Sequence, residues 1–189
     1  FGLLRALAPP HGATDPIAYQ LALPKMFLVK HFLSFEPTIT GALYPTNMGL
    51  LYIIGMGLRN GILAQLLHWL MGAMCLLAVV GFAQKYLTWK IGVWAAAIFS
   101  FVPIMVVFGP QGYVDVGLCF FQFMAFWAVF NWAAEQDRKS LVLAALLTGL
   151  AMGFKHQGMA TLFVAATIVL GRGLLARDGL RLTLVNVGI

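Results

Sequence analysis

Three charged side chains stand apart in this 189-residue sequence: Asp15, Asp115 and Lys155. Each borders an apolar run, where a charge is conspicuous because hydrocarbon tolerates it poorly. A carboxylate at such a boundary can take a proton from a hydroxyl. An ammonium can neutralise a phosphate as a point charge. Two acids and one cation beside an apolar platform therefore suit a phosphate-bearing lipid. Tyr19 and Tyr113 lie close to the acids in sequence and could stack on a ring, and His156 follows Lys155 as a second candidate phosphate contact. Each charge also has a plainer use. Asp15 followed by Pro16 fits a helix N-cap with proline at the first helical position. Asp115 can cap a helix at the membrane interface, and Lys155 can snorkel to headgroups.

The elements that must hold these residues are set by composition. Hydrophobic residues make up 61% of the chain, charged residues 10%, and the mean hydropathy is +0.90. Soluble domains carry about 25% charged residues, so a water-soluble core, disorder and a coiled coil are excluded. The remaining class is all-α integral membrane: a polytopic helical bundle. The net charge of +6 reads as a topology signal and as lipid-phosphate contacts, not as nucleic-acid binding. Cys75 and Cys119 both sit inside apolar runs and read as small buried hydrophobes.

Residues 9–61 are the least hydrophobic stretch and read as an extracytoplasmic loop with amphipathic helices at the membrane surface. One such helix is expected from Asp15-Pro16 to Phe32, kinked at Pro24, and a second over 46–58. Spans are expected at 61–83, 91–108 and 113–134. Residues 141–154 and 159–171 read as a short helical hairpin that lifts Lys155 out of the hydrocarbon centre. Residues 180–189 read as the start of a further helix, so 1–189 is one incomplete transmembrane domain. Loops 84–90, 135–140 and 172–181 hold seven of the twelve basic residues, which assigns them to the cytoplasmic side. Asp15, Asp115 and the turn at 155–158 then share the opposite, periplasmic or luminal side.

The ordered segments are Asp15-Pro-Ile-Ala-Tyr19-Gln-Leu-Ala-Leu-Pro-Lys25, Tyr44-Pro45-Thr-Asn-Met-Gly-Leu-Leu-Tyr52, Gln65-Leu-Leu-His68, Gly112-Tyr-Val-Asp115 and Gly149-Leu-Ala-Met-Gly-Phe-Lys155. Together they resemble the first half of GT-C glycosyltransferases, of the dolichyl-phosphate-mannose mannosyltransferase and aminoarabinose-transferase type. The resemblance covers roughly residues 9–175. It implies a membrane enzyme, and the chain an N-terminal half fragment of it. The implied donor is a polyprenyl-phosphate sugar, and the acceptor a lipid, glycan or protein. It implies Asp15 as the catalytic base, Asp115 as a second catalytic carboxylate, and Lys155 near the carrier phosphate; His156 beside it stays a candidate phosphate or sugar contact. Tyr19 and Tyr113 become candidates for stacking on the sugar. Pro16 and Gln20 stand where many members have a second acid and a histidine, and Met48-Gly49 stands where many have a glutamate.

No cofactor is assigned. A divalent metal is left open, since His11 and Asp15 alone are a poor ligand set. Glu36 reads as a loop charge before a second catalytic acid, and His68 as a helix–helix hydrogen-bonding residue. The expected localisation is a bacterial inner (plasma) membrane, with the site facing the periplasm or exterior. The rival reading is a non-catalytic transporter or membrane assembly subunit. A transporter often shows an internal helix repeat, and none is visible here.

Overall fold

A computed structural model describes residues 2–10, 15–39 and 41–175. His11, Arg177, Arg181 and the expected helix at 180–189 lie outside these residues. Every regular element among the described residues is helical: α1 Gly2–Ala6, α2 Ala22–Lys30, α3 Asn47–Leu58, α4 Gly61–Tyr86, α5 Trp89–Ser100, α6 Asp115–Glu135, α7 Arg138–Met152 and α8 Gly158–Leu175. Two single wide turns of π type, Pro16–Gln20 and Ile104–Phe108, complete the set. The described residues form two compact units, dividing between Phe120 and Phe121.

α4 and α6 are long and apolar enough to cross a bilayer. At about 1.5 Å per residue they reach roughly 39 and 31 Å, against about 30 Å of hydrocarbon. The chain is an all-α integral membrane protein. Its outer faces agree: Trp94, Ile98, Leu77, Leu146 and Phe163 are among many large apolar side chains left exposed. Scattered over water, such a surface would promote aggregation; in lipid it is simply solvated.

In the first unit α4 is the central post, with α5, α3 and α1 packed along it. Asn60 starts it: its side-chain oxygen accepts from the Ile62 and Leu63 N–H groups at 3.1 and 3.2 Å. Thr88 caps α5 in the same way, through the Ile91 N–H. The stretch 91–108 is not one continuous helix. α5 ends at Ser100, the chain bends at Phe101–Pro103, and only the wide turn 104–108 follows. Pro103 has no N–H to offer the ladder, so the helix yields there.

The expected helix 16–32 also divides. Residues 16–20 make a wide turn, closed by the Leu21 N–H on the Pro16 carbonyl at 2.9 Å, and α2 follows. Pro24 sits in the first turn of α2, where its missing N–H costs nothing, and it starts the helix instead of kinking it. The N-cap reading of Asp15 is overturned. Its backbone is already helical (φ −66°, ψ −45°), and its side chain makes no capping hydrogen bond. Glu36 is covered and held by Lys30 and by the Ser34 hydroxyl, which keep its carboxyl below the usual range. It is a staple for the loop after α2, not a second acid at the site.

The second unit holds the rest of α6 with α7 and α8. Ala128, Val129, Ala144 and Ala165 form its core, with Leu147 and Ile168 against them. Asp137 starts α7, accepting from the Lys139 and Ser140 N–H groups. α7 and α8 are each shorter than a full span and are joined by the turn at 153–157.

Loss of a working cap is measurable. Asn60→Ala should destabilise the protein by about 1 kcal/mol in thermal unfolding in detergent. Asn60→Asp should stay within a few tenths of wild type, since its carboxylate caps equally well.

Candidate active site

The geometry of the site begins with the wide turn at 16–20. Asp15 precedes it and is exposed; Tyr19, four residues on, is half-buried and lies within the field of the Asp15 carboxylate. Burial, and after it the charge of Asp15, holds the Tyr19 phenol above the ordinary tyrosine value. Tyr44 meets the Tyr19 ring edge-on, with centroids 5.7 Å apart. The loop that carries Tyr44 reaches this ring only because residue 41 is glycine. Its φ is +88°, and a Cβ there would stand 3.0 Å from the Tyr19 ring.

The second half of the site is the loop from Gly109 to Val116. It packs against the first half at Gly112, where a Cβ would meet Leu21 at 3.0 Å. Tyr113 lies on this loop with its ring tilted on Phe108, at a centroid distance of 4.4 Å. Its phenol is pushed up by burial, then by the charges of Asp15 and Asp115. One phenol thus feels both carboxylates. The structure gathers Asp15, Tyr19, Tyr113 and Asp115 into one neighbourhood within the first unit. At neutral pH both phenols remain proton donors.

Two residues outside the candidate set hold this loop, one of them His68, expected only to make a helix–helix hydrogen bond. Tyr52, fully buried on α3, donates its hydroxyl to the Tyr113 carbonyl. His68, fully buried on α4, contacts the Gly109 carbonyl through Nδ1 at 3.2 Å and the Val116 N–H through Nε2 at 3.3 Å. All three partners are main-chain groups 41 to 61 residues away, so no local pattern announces them.

Lys155 and His156 belong to the second unit, in the turn between α7 and α8. Lys155 is half-buried and His156 exposed. The turn is closed by the Gly158 N–H on the Lys155 carbonyl at 2.8 Å and the Met159 N–H on the His156 carbonyl at 3.0 Å. Within the same unit, Gln122 donates to the buried Thr161 hydroxyl at 2.8 Å and Phe121 stacks on Phe154. These contacts fix the two helix ends that frame the turn.

An open, mostly apolar hollow of ≈ 640 Å³ runs along the other side of α2, lined among others by Ile17, Leu21, Lys25, Met56 and Asn60. Its size is that of a small-ligand site. Among the described residues no group of three or more His, Cys, Asp or Glu could hold a metal ion.

Residues 48–187 match the family model described as dolichyl-phosphate-mannose-protein mannosyltransferase. The match includes Tyr113, Asp115, Lys155 and His156; Asp15 and Tyr19 precede it. No curated protein and no solved structure matches the chain.

The shared field around Tyr113 has a direct test. Asp115→Asn, and separately Asp15→Asn, should each lower the pH at which Tyr113 ionises, because a neighbouring negative charge opposes phenolate formation. Ultraviolet titration of phenolate, with Tyr113→Phe identifying the transition, would read this. An unmoved midpoint in both variants would mean that the carboxylates do not share that neighbourhood.

Proposed function

We propose, because this chain belongs to the dolichyl-phosphate-mannose-protein mannosyltransferase family, that it moves a sugar from a polyprenyl-phosphate donor to an acceptor hydroxyl, with Asp15 as the base. The family makes the coarse class plain: a glycosyltransferase of the membrane that uses a polyprenyl-phosphate-linked sugar. The finer reading rests on the company Asp15 keeps. Its carboxylate is exposed, does not serve as a helix cap, and acts on both the Tyr19 and the Tyr113 phenol.

The chemistry is one displacement. The acceptor oxygen bonds to the anomeric carbon as the bond from that carbon to the phosphate oxygen breaks. The electron pair leaves with the carrier phosphate, and the acceptor proton ends on Asp15. The configuration at the anomeric carbon inverts. Asp115 orients the acceptor or steadies the positive charge that develops on the sugar ring. Tyr19 and Tyr113 are the sugar's aromatic neighbours. Lys155 carries the charge that the leaving phosphate needs, with His156 beside it in sequence. The hollow along α2 suits the isoprenoid part of a donor, with Lys25 on its lining.

The face of action follows from charge. Lys85 lies in the last turn of α4, Lys90 in the first turn of α5, Arg138 and Lys139 open α7, and Arg172 lies in the last turn of α8. Basic loops favour the cytoplasm. The acids and the turn at 153–157 then face the periplasm or exterior of a bacterial inner membrane.

Asp15→Asn tests the base. No capping bond is lost, so folding should be normal, and turnover by the membrane-embedded enzyme should fall by roughly 10²–10⁴-fold. Donor binding should survive, since the loss lies in the transition state. Near-wild-type turnover would reject Asp15 and shift the role to Asp115.

Lys155 is tested by donor affinity. Lys155→Met should weaken binding of the polyprenyl-phosphate sugar, and Lys155→Arg should keep part of it. Unchanged binding by Lys155→Met would leave that residue with snorkelling alone.

A further inference from the structure

We propose that His68 is a positioning residue for the reaction site, a neutral two-point clamp that sets where Asp115 and Tyr113 stand. The proposal rests on the reading that these two residues work at that site. His68 lies on α4, fully buried, and its ring touches both ends of the loop that carries them. The polarity of its partners decides its state. The Val116 N–H can only donate, so Nε2 must offer a lone pair. The Gly109 carbonyl can only accept, so Nδ1 must carry the proton. One ring therefore needs the Nδ1-protonated neutral tautomer to satisfy both groups at once.

The Val116 N–H is among the first of α6, a group that has no carbonyl partner within its own helix. Helix starts commonly recruit a nearby Ser, Asp or Asn for such groups. Here an imidazole from another helix serves it. Asp115 is the residue just before Val116, so the clamp fixes the backbone from which its carboxylate projects. Tyr52 adds a third attachment at the Tyr113 carbonyl. One turn below His68, Gly72 leaves room for Val116, whose Cγ1 would lie 3.1 Å from a Cβ there. α4 is thus shaped to receive the start of α6 as well as to bond it. A loop held at Gly109, Tyr113 and Val116 has little freedom to drift. In a transfer reaction, misplacement of a group by about 1 Å can cost on the order of 10²-fold in rate.

The test uses the whole protein in lipid nanodiscs with a polyprenyl-phosphate sugar as donor. His68→Leu can neither donate nor accept. It should lower kcat on the order of 10²-fold while the donor KM stays near wild type. His68→Gln carries both a donor and an acceptor on one side chain and should recover to within about tenfold of wild type. The double variant His68→Leu/Asp115→Asn should be no slower than Asp115→Asn alone, because both changes spoil the same placement. Independent multiplication of the two losses would reduce His68 to a fold-holding residue and overturn the proposal. So would wild-type kcat in His68→Leu. Nitrogen NMR of the ring in the unmutated protein is the arm that needs no variant. A proton on Nδ1 supports the clamp, and a proton on Nε2 overturns it. Full turnover by Asp115→Asn would instead overturn the site reading itself, a result distinct from failure of the clamp.

Discussion

A backbone group buried without a partner is expensive anywhere and most expensive where water is absent. The stretch from Gly109 to Val116 is where this chain meets that constraint most sharply. From Gly109 to Val114 it is neither helix nor strand, yet Gly109, Pro110, Gly112 and Val114 are all buried. Its carbonyls and N–H groups cannot rely on a regular ladder, and two polar side chains from neighbouring helices serve them. The rest of the first unit follows from that arrangement. α3 must lie where Tyr52 can reach Tyr113, α4 must present His68 between Gly109 and Val116, and the turn at 16–20 closes against Gly112. The candidate site is the outer surface of this supported loop.

A second constraint acts on charge. The chain has few ionisable groups, and two of its carboxylates are taken up by structural bonds. Glu36 is held by Lys30 and Ser34, and Asp137 by two backbone N–H groups. Asp15 is exposed and lies near the Tyr19 phenol. That division separates structural carboxylates from the one proposed as the base. A carboxylate consumed by N–H groups loses basicity.

Much of the fold was legible because membrane helices announce themselves by length and hydropathy. Gly61 onward and the run following Asp115 are long apolar segments, and α4 and α6 stand there. Local breaks were harder. Pro103 was visible as a residue, but whether the helix bends or ends at a proline depends on its neighbours, and here α5 stops before it. Asp15 next to Pro16 has the composition of a cap. The pattern fails because the backbone at Asp15 is already helical, so no N–H group is presented to its side chain. In the site, Asp15, Tyr19, Tyr113 and Asp115 could be chosen by residue type, since carboxylates and phenols near apolar runs are few. Tyr52 and His68 could not, because their value lies in partners far away in sequence. His68 within an apolar run was the one signal available: a buried imidazole must bond something, though sequence does not say what.

The position of Tyr113 between the influence of two carboxylates gives the site a direction. Both acids repel any approaching anion, while both phenols offer protons to a neutral oxygen. A long molecule with a phosphate at one point and hydroxyl groups beyond it would meet opposite forces along its length. Its hydroxyl-bearing end is drawn toward Asp15 and Asp115, and its phosphate is pushed outward from them. The proposed site would thus act as a compass for an amphiphile, sorting head from tail before any bond is made or broken.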